Sequence, residues 1–247
     1  MKSILITGCN RGLGLGMVKQ LLKSTTPPEK LITTCRSIEK ARELQDLARE
    51  NTNIHILELD VKQTDTFDAF AKQVETIVGP NGLNVLFNNA GYSPKFTRIG
   101  LVKMDQLVDS FAINTIGPIM LTKALLTLLK KAAEANSAEP MGSNKAAVVN
   151  MSSILGSIAQ NTDGGFYPYR CSKASLNMAT KSMSIDFKND GILATCVHPG
   201  WVQTDMGGAN APMSIEESCG HLVKFIDNLS EEHNGGYFQY DGKALPW

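Results

Sequence analysis

Apolar and polar positions along this chain follow two alternating periods. Short apolar runs at Ile4-Leu5-Ile6-Thr7, Leu31 to Cys35, Ile54 to Leu59, Val85-Leu86-Phe87, Ala146 to Met151 and Leu193 to Val197 read as strands buried on both faces. A last short strand is expected at Gly236 to Gln239. Between the runs the apolar period lengthens to that of a helix. Leu13, Met17, Leu21 and Leu22 share one face, and helix formers fill Ile38 to about Asn51. Further helices are expected from about Thr64 to Val78, stopped by Gly79-Pro80, from Met104 to about Ala135, and from about Tyr169 to Phe187. Ser214, followed by Glu216 and Glu217, marks the start of another. Strict alternation of apolar strands with helices predicts an α/β fold: a doubly wound parallel sheet of about seven strands with helices on both faces. No repeat, composition shift or long linker interrupts it, so residues 1–247 form one domain.

Ligands in such sheets bind beyond the carboxyl ends of the strands, and the unusual residues of this chain fall there. The first strand runs into Thr7-Gly8-Cys9-Asn10-Arg11-Gly12-Leu13-Gly14, and a helix follows at once. Glycines let backbone approach a ligand and take positive φ, while a helix N-terminus favours a pyrophosphate. The spacing is GxxxGxG, without the Lys-Ser/Thr ending of an ATP-hydrolysing phosphate loop. The second strand ends in Arg36-Ser37, where an acidic residue would hold the 2′-hydroxyl of NAD. An arginine there accommodates a 2′-phosphate, with Arg11 expected to fold over the same group, so NADPH is expected over NADH.

The remaining chemistry centres on Tyr169-Arg170-Cys171-Ser172-Lys173. Residues four apart share a helix face, so the phenol and the ammonium meet, and a neighbouring cation is expected to lower the tyrosine pKa. Tyr167 lacks this partner, since Cys171 lies four residues on. The four histidines show no metal-ligand spacing, so no metal site is expected. No GxSxG elbow suggests a hydrolase.

Composition narrows the setting. Formal net charge is zero and no basic block occurs, which gives no electrostatic case for nucleic acid or an anionic membrane. Five widely spaced cysteines without a CxxC pair, and no signal-peptide pattern, point to a reducing, cytoplasmic setting. No apolar run is expected to reach membrane-spanning length.

Taken in order, the glycine stretch, Asp60-Val61, Asn88-Asn89-Ala90-Gly91, Asn114, Ser152-Ser153, Tyr169-x-x-x-Lys173 and Pro199-Gly200 resemble the pattern of the short-chain dehydrogenase/reductases over the full chain. Arg36 and the segment Asp241 to Trp247 bring it nearest to the NADPH-dependent carbonyl reductases of the Sniffer and C-factor-like group. The resemblance implies a Rossmann-like domain that transfers hydride from NADPH to a small-molecule carbonyl. It implies Tyr169 as proton donor, Ser153 on the substrate oxygen, Lys173 on the tyrosine and the nicotinamide ribose, and Asn114 at a helix kink that extends a proton relay. Cofactor contacts would come from Gly8, Asn10, Arg11, Gly12, Leu13 and Gly14, then Arg36 and Ser37 at the 2′-phosphate. Asp60 and Val61 would meet the adenine, Asn89, Ala90 and Gly91 the ribose side, and Pro199, Gly200, Val202 and Thr204 the carboxamide. Ser153 is preferred to Ser152 because it precedes x-x-Gly, although the sixteen-residue step to Tyr169 exceeds the family's usual dozen or so and implies an insertion at Gln160 to Phe166. Family members also pair through the long helices after the fourth and fifth strands, and the helix faces leave a homodimer open. A protein that holds NADPH without turnover is the other reading, although it has no chemical need for the whole set.

Overall fold

The computed structural model describes Met1–Trp247, and seven parallel strands form its centre in the order β3-β2-β1-β4-β5-β6-β7. The strands are β1 (Ser3–Ile6), β2 (Lys30–Cys35), β3 (Ile54–Glu58), β4 (Val85–Asn88), β5 (Ala147–Met151), β6 (Leu193–His198) and β7 (Tyr237–Gln239). Alternate residues feed opposite faces. Ile4 and Ile6 pack with α1 (Gly12–Leu22), α2 (Arg42–Glu50) and α7 (Ile215–Asp227) on one side. Leu5 packs with α3 (Phe67–Val78) and α5 (Gly117–Ala135) on the other, where Met183 of α6 (Tyr167–Asp186) joins them. Chain order reverses between β1 and β4, whose register pairs Ile4 with Val85 and Ile6 with Phe87. A crevice opens at such a point because the connections leave β1 and β4 in opposite directions.

Four boundaries differ from the sequence pattern. The second helix begins at Arg42 rather than Ile38, because Ile38 N–H donates to Glu58 Oε1 (2.9 Å) and Ala41 N–H closes a turn on Ile38 O (2.9 Å). The third opens with a 3-10 turn at Thr64–Thr66. The long helix is α4 (Met104–Phe111) and α5 joined by a π turn at Ala112–Ile116. The helix carrying Tyr169 starts two residues early, at Tyr167, after Phe166 in a left-handed conformation (φ 49°). Ser214 caps α7 as expected, its Oγ accepting from Glu217 N–H at 3.1 Å. Contrary to the expectation from the sequence, the Met104–Ala135 run is long and apolar enough to cross a membrane. Half of its most apolar stretch is buried inside the fold, as in the core helix of a globular domain.

Candidate active site

At the β1–β4 reversal lies a cavity of about 330 Å³, within the size range of small-molecule sites. The glycine loop forms one wall, from Gly8 to Gly14. Gly8 and Gly12 take positive φ (73° and 56°). A Cβ on Gly12 would meet only Thr204 at 3.8 Å, so the space above this residue is left for something else. Gly14 has the opposite job: its Cβ would lie 2.2 Å from Gly8 O, so it permits α1 to pack against the loop. Thr7 fastens the loop to β4, its Oγ1 accepting from Asn89 N–H (3.0 Å) and Ala90 N–H (2.9 Å). Asn89 Nδ2 answers by donating to Thr7 O at 2.7 Å.

The expected charges separate. Arg36 is exposed on the cavity wall and makes no ion pair, which leaves its guanidinium available to an anion. Arg11 does not fold beside it. Its Nη1 reaches across the cavity to Asp205 Oδ2 (2.8 Å), a pair exposed on both sides. Asp60 and Val61 also line the cavity, with Asp60 Oδ1 accepting from Lys62 N–H (3.0 Å), so one carboxylate oxygen closes a local turn. Ala90, Gly91, Pro199 and Thr204 complete that wall, whereas Ser37, Gly200 and Val202 stand outside it. Gly200 (φ 89°) turns the chain against Met213 and Tyr240, and Val202 is buried in a bridge to Met213.

Tyr169 and Lys173 come together on the buried face of α6 at 9% and 2% exposure, and both reach the cavity. Lys173 Nζ lies 5.8 Å from the phenol ring centre and donates to Met151 O at 2.6 Å. Burial dominates both groups. It pushes the Tyr169 phenol up to about 12, against a smaller lowering by the Ser153 side chain, and it pulls the Lys173 ammonium down to about 8. The tyrosine pKa is therefore not lowered by the lysine among the protein's own groups. Tyr167, by contrast, is 37% exposed and outside the cavity.

Of the two serines, Ser152 has its hydroxyl committed to Asn177 Oδ1 (2.6 Å) on α6. Contrary to the expected choice, Ser152 borders the cavity and Ser153 does not, although Ser153 Oγ, accepting from Leu155 N–H (3.2 Å), interacts with the Tyr169 side chain. Asn114 lies in the π turn, fully buried. Its Oδ1 accepts from Tyr92 N–H (2.8 Å), while Nδ2 donates to Tyr92 O (2.7 Å) and Ser172 Oγ (2.9 Å). Thr115 Oγ1 adds a bond to Ser172 O (2.8 Å), so the π turn clamps the helix that carries Tyr169. His198, at the end of β6, is buried with Nδ1 unpartnered and its pKa lowered to about 4, which keeps it neutral.

A short-chain dehydrogenase family model matches residues 2–214. The chain belongs to the short-chain dehydrogenase family. Its structure superposes on the carbonyl reductase Sniffer of D. melanogaster with a TM-score of 0.99 at 55% identity, covering 100% of both chains. An NADPH-bound carbonyl reductase from chicken fatty liver aligns with a TM-score of 0.94 at 39% identity, over 100% of this chain and 99% of that one. The C-signal protein of Myxococcus xanthus is 42% identical over 179 residues, 72% of this chain and 99% of its own length.

A dinucleotide fits the cradle of this short-chain dehydrogenase on its own features. The loop has open space over Gly12, Arg36 is an unpaired cation at the rim, and Tyr169 and Lys173 close the far end. Thr7, Asp205, Ser172 and Tyr92 were not singled out from the sequence. Thr7 and Ser172 adjoin motif residues, but nothing in their spacing distinguishes a hydrogen-bonding hydroxyl from an ordinary one. Asp205 and Tyr92 reach the site only through loops.

Proposed function

We propose that this short-chain dehydrogenase is an NADPH-dependent carbonyl reductase acting on aldehydes, ketones or quinones. The observation that carries the reading is the convergence of Tyr169 and Lys173 at one end of a cavity whose other end holds the glycine loop and the unpaired Arg36, with Ser153 just outside it against the Tyr169 side chain. The likeness to solved carbonyl reductases, one of them NADPH-bound, supports it.

The balanced reaction is carbonyl + NADPH + H⁺ → alcohol + NADP⁺. When bound, NADPH supplies the hydride to the carbonyl carbon. The loop from Gly8 to Gly14 would hold the pyrophosphate, Arg36 the 2′-phosphate, and Lys173 the nicotinamide ribose. Tyr169 gives its phenolic proton to the carbonyl oxygen. Burial serves this step, because a phenol with its pKa near 12 stays protonated at neutral pH. Ser153 donates to the same oxygen as negative charge develops there, stabilisation of the oxyanion-hole kind. Lys173, with its pKa drawn to about 8, returns a proton to the tyrosinate. Five free cysteines, four of them buried, suit a reducing compartment. Ile119 on α5 and Met178 and Ile185 on α6 are exposed apolar residues on the two helices through which a homodimer would form.

Purified full-length protein with a panel of aldehydes, ketones and quinones tests the reading. Oxidation of NADPH in step with alcohol formation is expected. NADPH binding without any turnover would instead favour a protein that senses or carries the dinucleotide.

A further inference from the structure

We propose that Tyr237 is a positioning residue for this reaction, setting Ser153 through the serine's own carbonyl group. The inference rests on the role given to Ser153 above. Tyr237 belongs to β7, a three-residue strand at the sheet edge that carries no recognisable motif. Its side chain is nonetheless 2% exposed, and its hydroxyl donates to Ser153 O.

Ser153 needs such a tie because it stands just beyond the sheet. The last ladder bond of this strand end is Ser152 N–H to Val197 O (2.8 Å). Past it, Ser153 is the N-cap of a 3-10 turn at Ile154–Gly156. Its carbonyl accepts from Gly156 N–H (2.7 Å) and its Oγ from Leu155 N–H (3.2 Å), both within its own turn. From α6, Asn177 Nδ2 donates to Gly156 O (3.3 Å) and Arg170 Nη1 to Leu155 O (3.5 Å), and the Tyr237 hydroxyl ties the Ser153 carbonyl to the sheet edge, so β7 and α6 together set the turn relative to Tyr169. Ordered groups next to reacting atoms hold their geometry only through such supporting bonds.

Tyr237 is itself braced. The Trp247 ring stacks on it at 5.4 Å between centres with 21° between planes. Leu245 N–H donates to Tyr237 O (2.8 Å). The same segment fastens the chain after Ser153: Ser157 Oγ donates to Pro246 O (2.7 Å) and Ala159 N–H to Trp247 O (2.9 Å). Residues 245–247 thus strap β7 to the loop that Ser153 opens. Burial raises the Tyr237 phenol far above its ordinary value, so it keeps its proton and is no rival to Tyr169 as an acid. Tyr237 does not line the cofactor cavity, so its effect belongs to turnover and not to dinucleotide binding.

The test is a double-mutant cycle with Tyr237→Phe and Ser153→Ala, read by kcat, carbonyl KM and NADPH Kd from fluorescence titration. Tyr237→Phe is expected to lower kcat about tenfold, the scale of a small misplacement of a reacting group, with NADPH Kd within about twofold. In the Ser153→Ala background the same change should cost less than about twofold, since the group being positioned is gone. An equal loss in both backgrounds, or an undiminished kcat in Tyr237→Phe while Ser153→Ala is impaired, overturns the inference alone. Full activity in Ser153→Ala overturns the reading of the site and this inference with it. If Tyr237→Phe does not fold, Trp247→Leu, which keeps the hydroxyl and loosens the ring above it, carries the same comparison. Its kcat loss must likewise vanish in the Ser153→Ala background, and persistence there refutes the positioning role.

Discussion

At the scale of single residues, burial and spacing pull on the same groups. The four-residue step brings Tyr169 and Lys173 together, yet the low-polarity setting raises the phenol to about 12 and lowers the ammonium to about 8. A lysine whose folded pKa is depressed releases its proton on folding between about pH 8 and its ordinary 10.5. The unfolded chain then binds more protons than the folded one, so this residue's contribution to stability rises with pH across that window. Denaturant midpoints of wild type and Lys173→Met at pH 8 and pH 10 check it. The wild type should gain on the variant as pH rises, and an unchanged difference would show that Lys173 is not depressed. Activity should move the other way, with carbonyl reduction falling as pH rises through about 8 and the proton returned by Lys173 is lost. The meeting of these two side chains was legible in the sequence because helix geometry is local. Their pKa values were not, because desolvation depends on the sheet, the π turn and loops remote in sequence.

The element that matters most for the site is the join between α4 and α5. A continuous helix from Met104 to Ala135 is what the apolar period predicts, and the ends hold to the residue. The π turn inside it escapes a period-based reading, since one extra residue barely disturbs the pattern over thirty. Asn114 gives that turn a purpose by bonding Tyr92 on both backbone groups and Ser172 on α6. Asn114→Ala removes three hydrogen bonds, one buried and two part-buried, and should destabilise the fold by about 2–4 kcal/mol. It should also lower kcat, because α6 loses its clamp. Chemical denaturation and steady-state kinetics on one preparation measure both. Full stability in that variant would refute the clamp. The Ser-Tyr pair shows the same limit of local pattern. The family resemblance prefers Ser153 for its x-x-Gly setting, whereas the bond to its carbonyl from β7 spans 84 residues and leaves no trace in spacing.

For the whole molecule, the alternation of strands and helices was enough to predict the sheet. The strand order then makes a crevice where β1 and β4 diverge, and the glycine loop, Arg36 and Tyr169 all border it. The sides of that crevice were less readable: Arg11 turns to Asp205 rather than toward Arg36, because the loop after β6 brings a carboxylate within 2.8 Å, and Ser37, Gly200 and Val202 stand outside it. With Arg11 paired, Arg36 is the cation proposed to meet the 2′-phosphate. Arg36→Asp should lower the preference for NADPH over NADH by at least about tenfold, the scale of one charged hydrogen bond. Comparison of kcat/KM with the two dinucleotides reads this directly, and an unchanged ratio would place 2′-phosphate recognition elsewhere. The central claim is that Tyr169 delivers the proton in an NADPH-dependent carbonyl reduction, and Tyr169→Phe tests it most directly. Single-turnover reduction by that variant should fall by at least about a hundredfold, within the usual range for a lost general acid, while NADPH Kd stays near that of wild type. Substantial turnover with the phenol gone would contradict the account.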